Sequence, residues 1–360
     1  MRYAGWGAVI FALCACGGAG APALTGPGNG GSGSTPPDAG DAGPGDAGPS
    51  ANCIGIVPSS AGSALAFDVP ESIGRSCVFA TSDGQGIVAA ESHDAGTTPP
   101  PDEQVRWFTL GQNGSYQGNN FPAPFAFFPQ PSGFEGYSAS WVYLWDQYGK
   151  PTPAVPVEQG AVVGPVFSGS GTVAAGATAS GIAVHRIDAV ANEVGRASAQ
   201  VAGTPWAAAE DRGGAILAVV QSGSTAKGIW LDLTNGTAGA PFNLGSVLHE
   251  AVARPLSSGG IAVRLDGHWV ATVQPGATQT SAPPAWLRDG SDFALARGGK
   301  AYAVTQNGSN AIDFISTQGN ACGSMTFPGT SNLNVGADGT VIGGTGTGGC
   351  TKVFWRGVLK

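Results

Sequence analysis

The chain has 360 residues, of which 60 are Gly and 26 Pro, with 16 basic and 24 acidic side chains. Helix-interrupting residues are thus about a quarter of the sequence; with no Gly at every third position and no heptad, collagen, coiled coil and helical bundle are excluded. A formal charge of −8 without any Lys/Arg cluster excludes nucleic acid as a partner and disfavours attraction to anionic lipid.

The amino terminus reads as an address. Met1-Arg2-Tyr3 is a short positive start, and Ala4 to Leu13 is an apolar run too short to span a bilayer but suited to a signal-peptide core. The run closes in Leu13-Cys14-Ala15-Cys16-Gly17, which resembles the bacterial lipobox. The resemblance implies that residues 1–15 are removed, that Cys16 carries a diacylglyceryl thioether, and, with Gly17 following, that the protein goes to the outer membrane, facing either the periplasm or the surface. Loss of residues 1–15 removes Arg2 alone among charged residues, taking the formal charge from −8 to −9.

Residues 17–52 hold 12 Gly and 6 Pro and lack apolar periodicity. Their near-repeats Asp38-Ala39-Gly40, Asp41-Ala42-Gly43 and Asp46-Ala47-Gly48 read as a flexible tether, with a root-mean-square reach of roughly 35 Å. The domain plan is a signal peptide over 1–15, a lipidated cysteine and tether over 16–52, and a body over 53–360. A lipobox followed by an Asp-Ala-Gly-Pro tether resembles myxobacterial-type envelope lipoproteins.

The body repeats. A Gly, a strand of small apolar residues, a turn and a strand richer in aromatics recur, with the opening glycines at Gly86, Gly133, Gly171, Gly214, Gly260, Gly299 and Gly339. The mean interval of about 42 residues is the length of a propeller blade. First strands include Gly86-Ile87-Val88-Ala89-Ala90 and Ala215-Ile216-Leu217-Ala218-Val219. Second strands include Trp141-Val142-Tyr143-Leu144-Trp145 and Ile312-Asp313-Phe314-Ile315. Small residues first and bulky ones second suit a radial sheet, whose inner strands crowd the axis while the outer ones diverge. Asn113-Gly114, Asn235-Gly236, Asp266-Gly267 and Asn307-Gly308 supply tight turns.

After Trp355 only five residues remain, and strand-like runs at Ala64 to Val69 and Cys77 to Ala80 precede the first repeat. Pairing both runs with the last repeat closes a ring and removes its open edges. The expected fold is all-β, a propeller of seven four-stranded blades whose last blade combines two carboxyl-terminal and two amino-terminal strands; another multi-sheet β architecture is the alternative. The pattern resembles the broad seven-bladed propeller class, with blades like those of the surface-layer and Kelch-like groups.

Beyond Cys14 and Cys16, four cysteines remain, an even number suited to two disulfides in an oxidising compartment. Three pairings are open; Cys53–Cys77 and Cys322–Cys350 are favoured. No Cys-x-x-Cys or nearby His supports a metal, and no cofactor is expected.

Catalytic motifs are absent: no Gly-x-Ser-x-Gly elbow, Walker loop, His-Glu-x-x-His or EF-hand loop occurs. His93, His185, His249 and His268 have acids nearby at Asp94, Asp188 and Glu250, but are read as structural residues of different blades. The ligand-face candidates are Trp206 with Asp211 and Arg212, and Trp286 with Arg288 and Asp289, each Trp placed just before the fourth strand of its blade. Such a Trp beside Arg and Asp can stack on a sugar or anchor a protein loop, while the plainer reading packs both indoles between blades. The expected function is a non-enzymatic, monomeric, lipid-anchored envelope module that binds a protein or glycan; the alternative is a periplasmic or surface hydrolase or lyase.

Overall fold

The computed structural model describes residues 51–68, 77–82, 86–91, 104–109, 116–118, 126–130, 133–138, 140–145, 151–168, 170–336, 339–344 and 351–359. Residues 1–50, hence Cys16 and the tether, lie outside them, as do Cys350, His93, Asp94 and the Asn113-Gly114 turn.

Twenty-eight strands among the described residues pair into seven antiparallel sheets, the blades of a β-propeller. Blade one holds β2 (Cys77–Ser82), β3 (Gly86–Glu91), β4 (Gln104–Thr109) and β5 (Tyr116–Gly118). Blade two holds β6 (Ala126–Gln130), β7 (Gly133–Ser138), β8 (Trp141–Trp145) and β9 (Pro151–Pro156). Blade three holds β10 (Val162–Pro165), β11 (Thr172–Thr178), β12 (Gly181–Ile187) and β13 (Glu193–Ala199). Blade four has β14 (Thr204–Glu210), β15 (Ile216–Ser222) and β16 (Thr225–Asp232), whose outer edge is shared by β17 (Thr237–Ala238) and β18 (Phe242–Ser246). Blade five has three strands, β19 (Ala251–Pro255), β20 (Ile261–Leu265) and β21 (His268–Val273). Blade six holds β22 (Ser291–Ala296), β23 (Ala301–Gln306), β24 (Ala311–Ser316) and β25 (Ala321–Thr326). Blade seven holds β26 (Ser331–Val335), β27 (Val341–Gly344), β28 (Thr351–Trp355) and, on its outer edge, β1 (Leu65–Asp68).

Ring closure therefore differs from the expectation of two plus two. Three carboxyl-terminal strands take one amino-terminal strand, with Leu65 opposite Phe354 and Asp68 opposite Thr351. The second run, β2, is instead the inner strand of blade one. The cause is a frame shift of one strand. The Gly-led strands of the repeat are second strands, and each has an inner strand before it; for Thr340-Val341-Ile342 that partner is β26. Inner strands carry a weak signal: β10 reads Val-Val-Gly-Pro and β26 Ser-Asn-Leu-Asn-Val.

Apolar layers between successive blades form the core. One joins blades three and four through Val173, Val184, Ile216 and Leu231, and the next joins blades four and five through Leu217, Trp230, Phe242 and Val263. Phe314, Phe327 and Trp355 fill the layer between blades six and seven. Because each sheet is covered on both faces, β15 needs an unbroken apolar run, Ile216 to Val220, all buried. Each large side chain so enclosed contributes about 1.5–3 kcal/mol.

The inner strands β10, β14 and β19 lie against one another at the axis. They come so close that a Cβ on Gly164 would run into the backbone carbonyl of Ala208. The Asp266-Gly267 hairpin has φ of 48° and 84°, the two positive values of a type I′ turn.

A single disulfide lies among the described residues, joining Cys53 to Cys322 with Cα atoms 5.1 Å apart. It replaces both favoured pairings, Cys53–Cys77 and Cys322–Cys350. The reason is position: Cys53 ends a short 3-10 helix, Ala51–Cys53, lodged against blade six, and Ile56 is buried in the layer between blades six and seven. The chain is thus fastened to blade six before β1 reaches blade seven.

Candidate functional site

Alternating strand direction sorts the loops. Among the described residues of blades three to six, connections into the inner strands, and those between second and third strands, emerge on one face of the ring, the upper. Connections between first and second and between third and fourth strands emerge on the lower face.

Blade five ends with β21 on the lower face, and its fourth strand shrinks to one bridge between Thr272 and Ser281. Residues 274–290 carry Pro275, Pro283 and Pro284, which cannot donate ladder hydrogen bonds. This connection still has to climb to the upper face, and it does so along the gap between blades five and six. Trp286 sits on the climb, half-buried, stacked on Tyr302 at 4.7 Å and meeting Phe293 edge-on at 5.3 Å. Leu287 beside it joins the layer of Val252, Trp269, Phe293 and Tyr302. Where a regular outer strand would fill the gap, a cavity of about 280 Å³ remains, lined among others by Trp286, Arg288, Ser291, Gln306 and Asp313.

Asp313 is the unusual member. It stands opposite Val304 in the β23–β24 ladder, on the same sheet face as Tyr302 and Ile315, both buried. Its carboxylate has no hydrogen bond or ion pair among the described residues, and the same holds for the side chains of Arg288 and Gln306 and the indole N–H of Trp286. The carboxylate is half-buried and opens into the cleft, and no hydrogen bond or ion pair within the fold among the described residues uses it.

A second, more open hollow of about 460 Å³ occupies the lower face, where loops of blades three to six meet around Phe167, Arg212, Ser257 and Gln318. Arg212 Nη1 donates to the Ser257 carbonyl at 3.3 Å, and the Ser257 N–H donates to the Tyr302 hydroxyl at 2.7 Å.

The six ligand-face candidates are therefore divided rather than assembled. Trp206 lies within β14, an inner strand rather than a position before a fourth strand, at a bulge between Pro205 and Ala207. It is half-buried against the layer between blades four and five. Asp211 is buried and holds the β14–β15 turn, accepting from the N–H groups of Gly213 and Ala215, each at 2.9 Å. Arg212 lines the lower hollow and is not among the residues lining the cleft that holds Trp286. Trp286 and Arg288 share the cleft, while Asp289 is exposed on the upper face and meets His268 Nδ1 at 2.7 Å. Sequence reading missed Asp313 and Gln306, although the acid inside Ile312-Asp313-Phe314-Ile315 was a visible interruption.

The histidines also pair differently from the expectation. Buried His185 meets Glu158 at 2.7 Å through Nε2 and Glu193 at 3.3 Å through Nδ1, not Asp188, and Arg196 donates to Glu158 at 3.0 Å. His249 and His268 belong to one blade, the first preceding β19 and the second beginning β21. A Cβ on Gly176 would collide with Glu158, so this glycine makes room for the His185 partner.

Two other carboxylates are strongly placed. Glu135 on β7 is buried, with Oε2 accepting from the Thr172 hydroxyl at 2.6 Å and Oε1 unpaired. Burial pushes its pKa up to about 8, against the Thr172 hydrogen bond and the Arg186 charge, with Asp188 adding to the rise. Asp292 joins blade six to blade five through both oxygens, bonded to Arg254 at 3.0 and 2.8 Å. Burial raises the Asp292 pKa, but the Arg254 charge and hydrogen bonds, with Arg264 and the Phe293 N–H, outweigh it and hold the group below the ordinary aspartate value. Arg186 bridges blade three to Glu210 of blade four through Nε alone, its other nitrogens donating to the Ile187 and Ser170 carbonyls.

No protein-family model matches this chain, and no curated protein sequence matches it. Among solved structures, it is similar to streptogramin B lyase at 12% identity, covering 81% of this chain and 97% of that one with a TM-score of 0.49. It is similar to U3-55K at 10% identity, covering 83% and 99% with a TM-score of 0.49. It is also similar to a chain of Kuenenia stuttgartiensis hydrazine synthase at 13% identity, covering 77% and 94% with a TM-score of 0.48. At these identities and scores the activities of those proteins do not transfer; the propeller assignment rests on the seven sheets themselves.

Proposed function

We propose that this protein is a lipid-anchored module of the bacterial outer membrane whose propeller body binds a ligand without transforming it. The observation that carries the reading is the cleft between blades five and six, where an indole, a guanidinium, an amide and a carboxylate line one cavity without partners among the described residues. Such groups in a concave site fix and orient a bound molecule. Asp313 is the single acid among the described residues lining the cleft, and neither a second carboxylate nor a histidine lines it with Asp313, so an acid and base pair is not assembled there. His185 is buried, while its partners Glu193 and Arg196 reach the surface, away from the cleft.

The anchor rests on the lipobox-like Leu13 to Cys16 segment and the low-complexity tether that follows it. A flexible reach of roughly 35 Å frees the body to meet a protein or glycan of the envelope.

The test is cross-linking on intact cells, affinity capture and mass spectrometry, with Cys16→Ser as the unanchored control. The expected result is a reproducible envelope partner that is lost when the chain is released from the membrane. A Cys16→Ser chain that still fractionates with the outer membrane would overturn the anchor, and turnover of an envelope polymer by the purified protein would overturn the non-catalytic reading.

A further inference from the structure

The geometry points to a neutral pyranose ring as the ligand of the cleft between blades five and six, seated against Trp286 and hydrogen-bonded by Asp313, Gln306 and Arg288. This deepens the binding-module reading and rests on it.

Four observations narrow the ligand class. The cavity, about 280 Å³, is slightly smaller than the roughly 300–1,000 Å³ typical of ligand pockets, which suits one ring and not a folded peptide. Trp286 is held rigidly by Tyr302 and Phe293, so the indole offers a fixed apolar wall at little entropic cost. The polar lining supplies both kinds of hydrogen-bonding group: Asp313 accepts, Arg288 donates, and Gln306 does both. A pyranose presents an apolar C–H face beside hydroxyls that donate and accept, and so matches an apolar wall flanked by mixed polar groups. An apolar aromatic ligand would bury Asp313 unpaired, which is costly. Arg288 and Asp313 carry opposite charges, so the site does not select a net anion or cation.

Blade five supplies the reason that the site exists here. Its reduced outer edge, the bridge Thr272 to Ser281, leaves the gap open where the other blades have at least four strands. Gly319, with φ of 88°, borders the cleft against the edge of the Trp286 indole.

The experiment uses the detergent-solubilised full-length protein and the probes glucose, galactose, mannose and N-acetylglucosamine, with glycine and alanine as zwitterionic comparators. Saturation-transfer NMR and calorimetry are expected to find at least one pyranose with a Kd on the order of millimolar, the affinity available to a small neutral ring. Trp286→Ala and Asp313→Asn should each weaken it at least about tenfold, the loss typical of an anchoring group, while Trp206→Ala, outside the cleft, leaves it unchanged. If Trp286→Ala fails to fold, Asp313→Asn decides, because it removes a charge that no folded-state partner uses. Absence of pyranose binding at millimolar concentrations, binding indifferent to Asp313→Asn, or tighter binding of the amino acids would overturn the inference. The cellular cross-linking result is independent: a protein partner captured without sugar binding would remove the pyranose and keep the module, whereas polymer turnover would remove the module itself.

Discussion

Replacing Glu135 by Gln isolates one buried carboxyl as a source of pH-dependent stability. In the folded chain this group titrates at about 8, against 4.5 when unhindered, because it is enclosed between blades two and three with one oxygen unpaired. Above pH 4.5 the unfolded chain releases the proton while the folded chain holds it. The folded state therefore loses about 1.4 kcal/mol of relative stability with each pH unit, or about 3 kcal/mol by pH 7. A raised folded pKa means that the contribution is fully present below about pH 4.5 and is lost as pH rises towards 8, where the loss levels off. Gln has nearly the same shape, has no proton to release, and keeps an oxygen for the Thr172 hydroxyl.

Wild type and Glu135→Gln should thus melt close together at pH 5 and diverge towards pH 8, with the variant the more stable. Unfolding entropy of about 2.1 cal/mol/K per residue over a body of roughly 310 residues converts about 3 kcal/mol into a gap of about 5 °C. Calorimetric melts at intervals between pH 5 and 8 measure it. Parallel curves for the two proteins would refute the reasoning, because they would mean that Glu135 ionises in the folded state as readily as in the unfolded one.

Three further outcomes follow from the packing. Gly164→Ala is expected to cost at least about 3 kcal/mol by chemical denaturation, since its Cβ meets the Ala208 carbonyl of the neighbouring inner strand and neither backbone has room to retreat. Non-reducing peptide mapping should recover Cys53 joined to Cys322; with a sequence separation of 269, Cys322→Ser should lower stability by up to about 5 kcal/mol on loop-entropy grounds. Asp292 has a lowered pKa, so its contribution is present above about pH 3.8 and disappears as pH falls through the folded value. Asp292→Asn should be less stable than wild type at neutral pH, with the difference closing in acid unfolding curves below pH 4.

Much of the ring was legible because the strongest signals belong to the strands most enclosed. Second and third strands such as β15 and β16 are covered on both faces, so they show long apolar runs: Ile216 to Val220, and Ile229-Trp230-Leu231. Inner strands lie where close backbones, not large side chains, fill the space, and Gly164 and Pro165 in β10 carry no strand signal of their own. That asymmetry explains the one-strand shift in frame and the misjudged closure. It also explains Trp206, assigned to the approach of a fourth strand when the residues around it, Thr204-Pro205-Trp206-Ala207, form an inner one. The Cys53–Cys322 bond was hidden for another reason, since it depends on the ring bringing residues 51–53 against blade six and not on any local pattern.

The cleft was half legible, and the physical division is instructive. Trp286 and Arg288 stood out because an aromatic and a charge in a Pro-rich connection have no repeat position to fill. Asp313 was absorbed into a strand because its neighbours Ile312, Phe314 and Ile315 satisfy the period of two from either side. Alternation places Asp313 with Tyr302 and Ile315 on the face that looks towards blade five, where it lines the open cleft. In a regular blade that place would belong to the next outer strand. The prolines of 274–290 stop that strand after one bridge, so one sequence feature opens the gap while another puts an unpaired carboxylate beside it. Restoring a pairing residue at Pro283 or Pro284 should therefore extend the bridge at Ser281, narrow the cleft and raise the melting temperature while weakening ligand binding, a trade expected of a site and not of a packing defect.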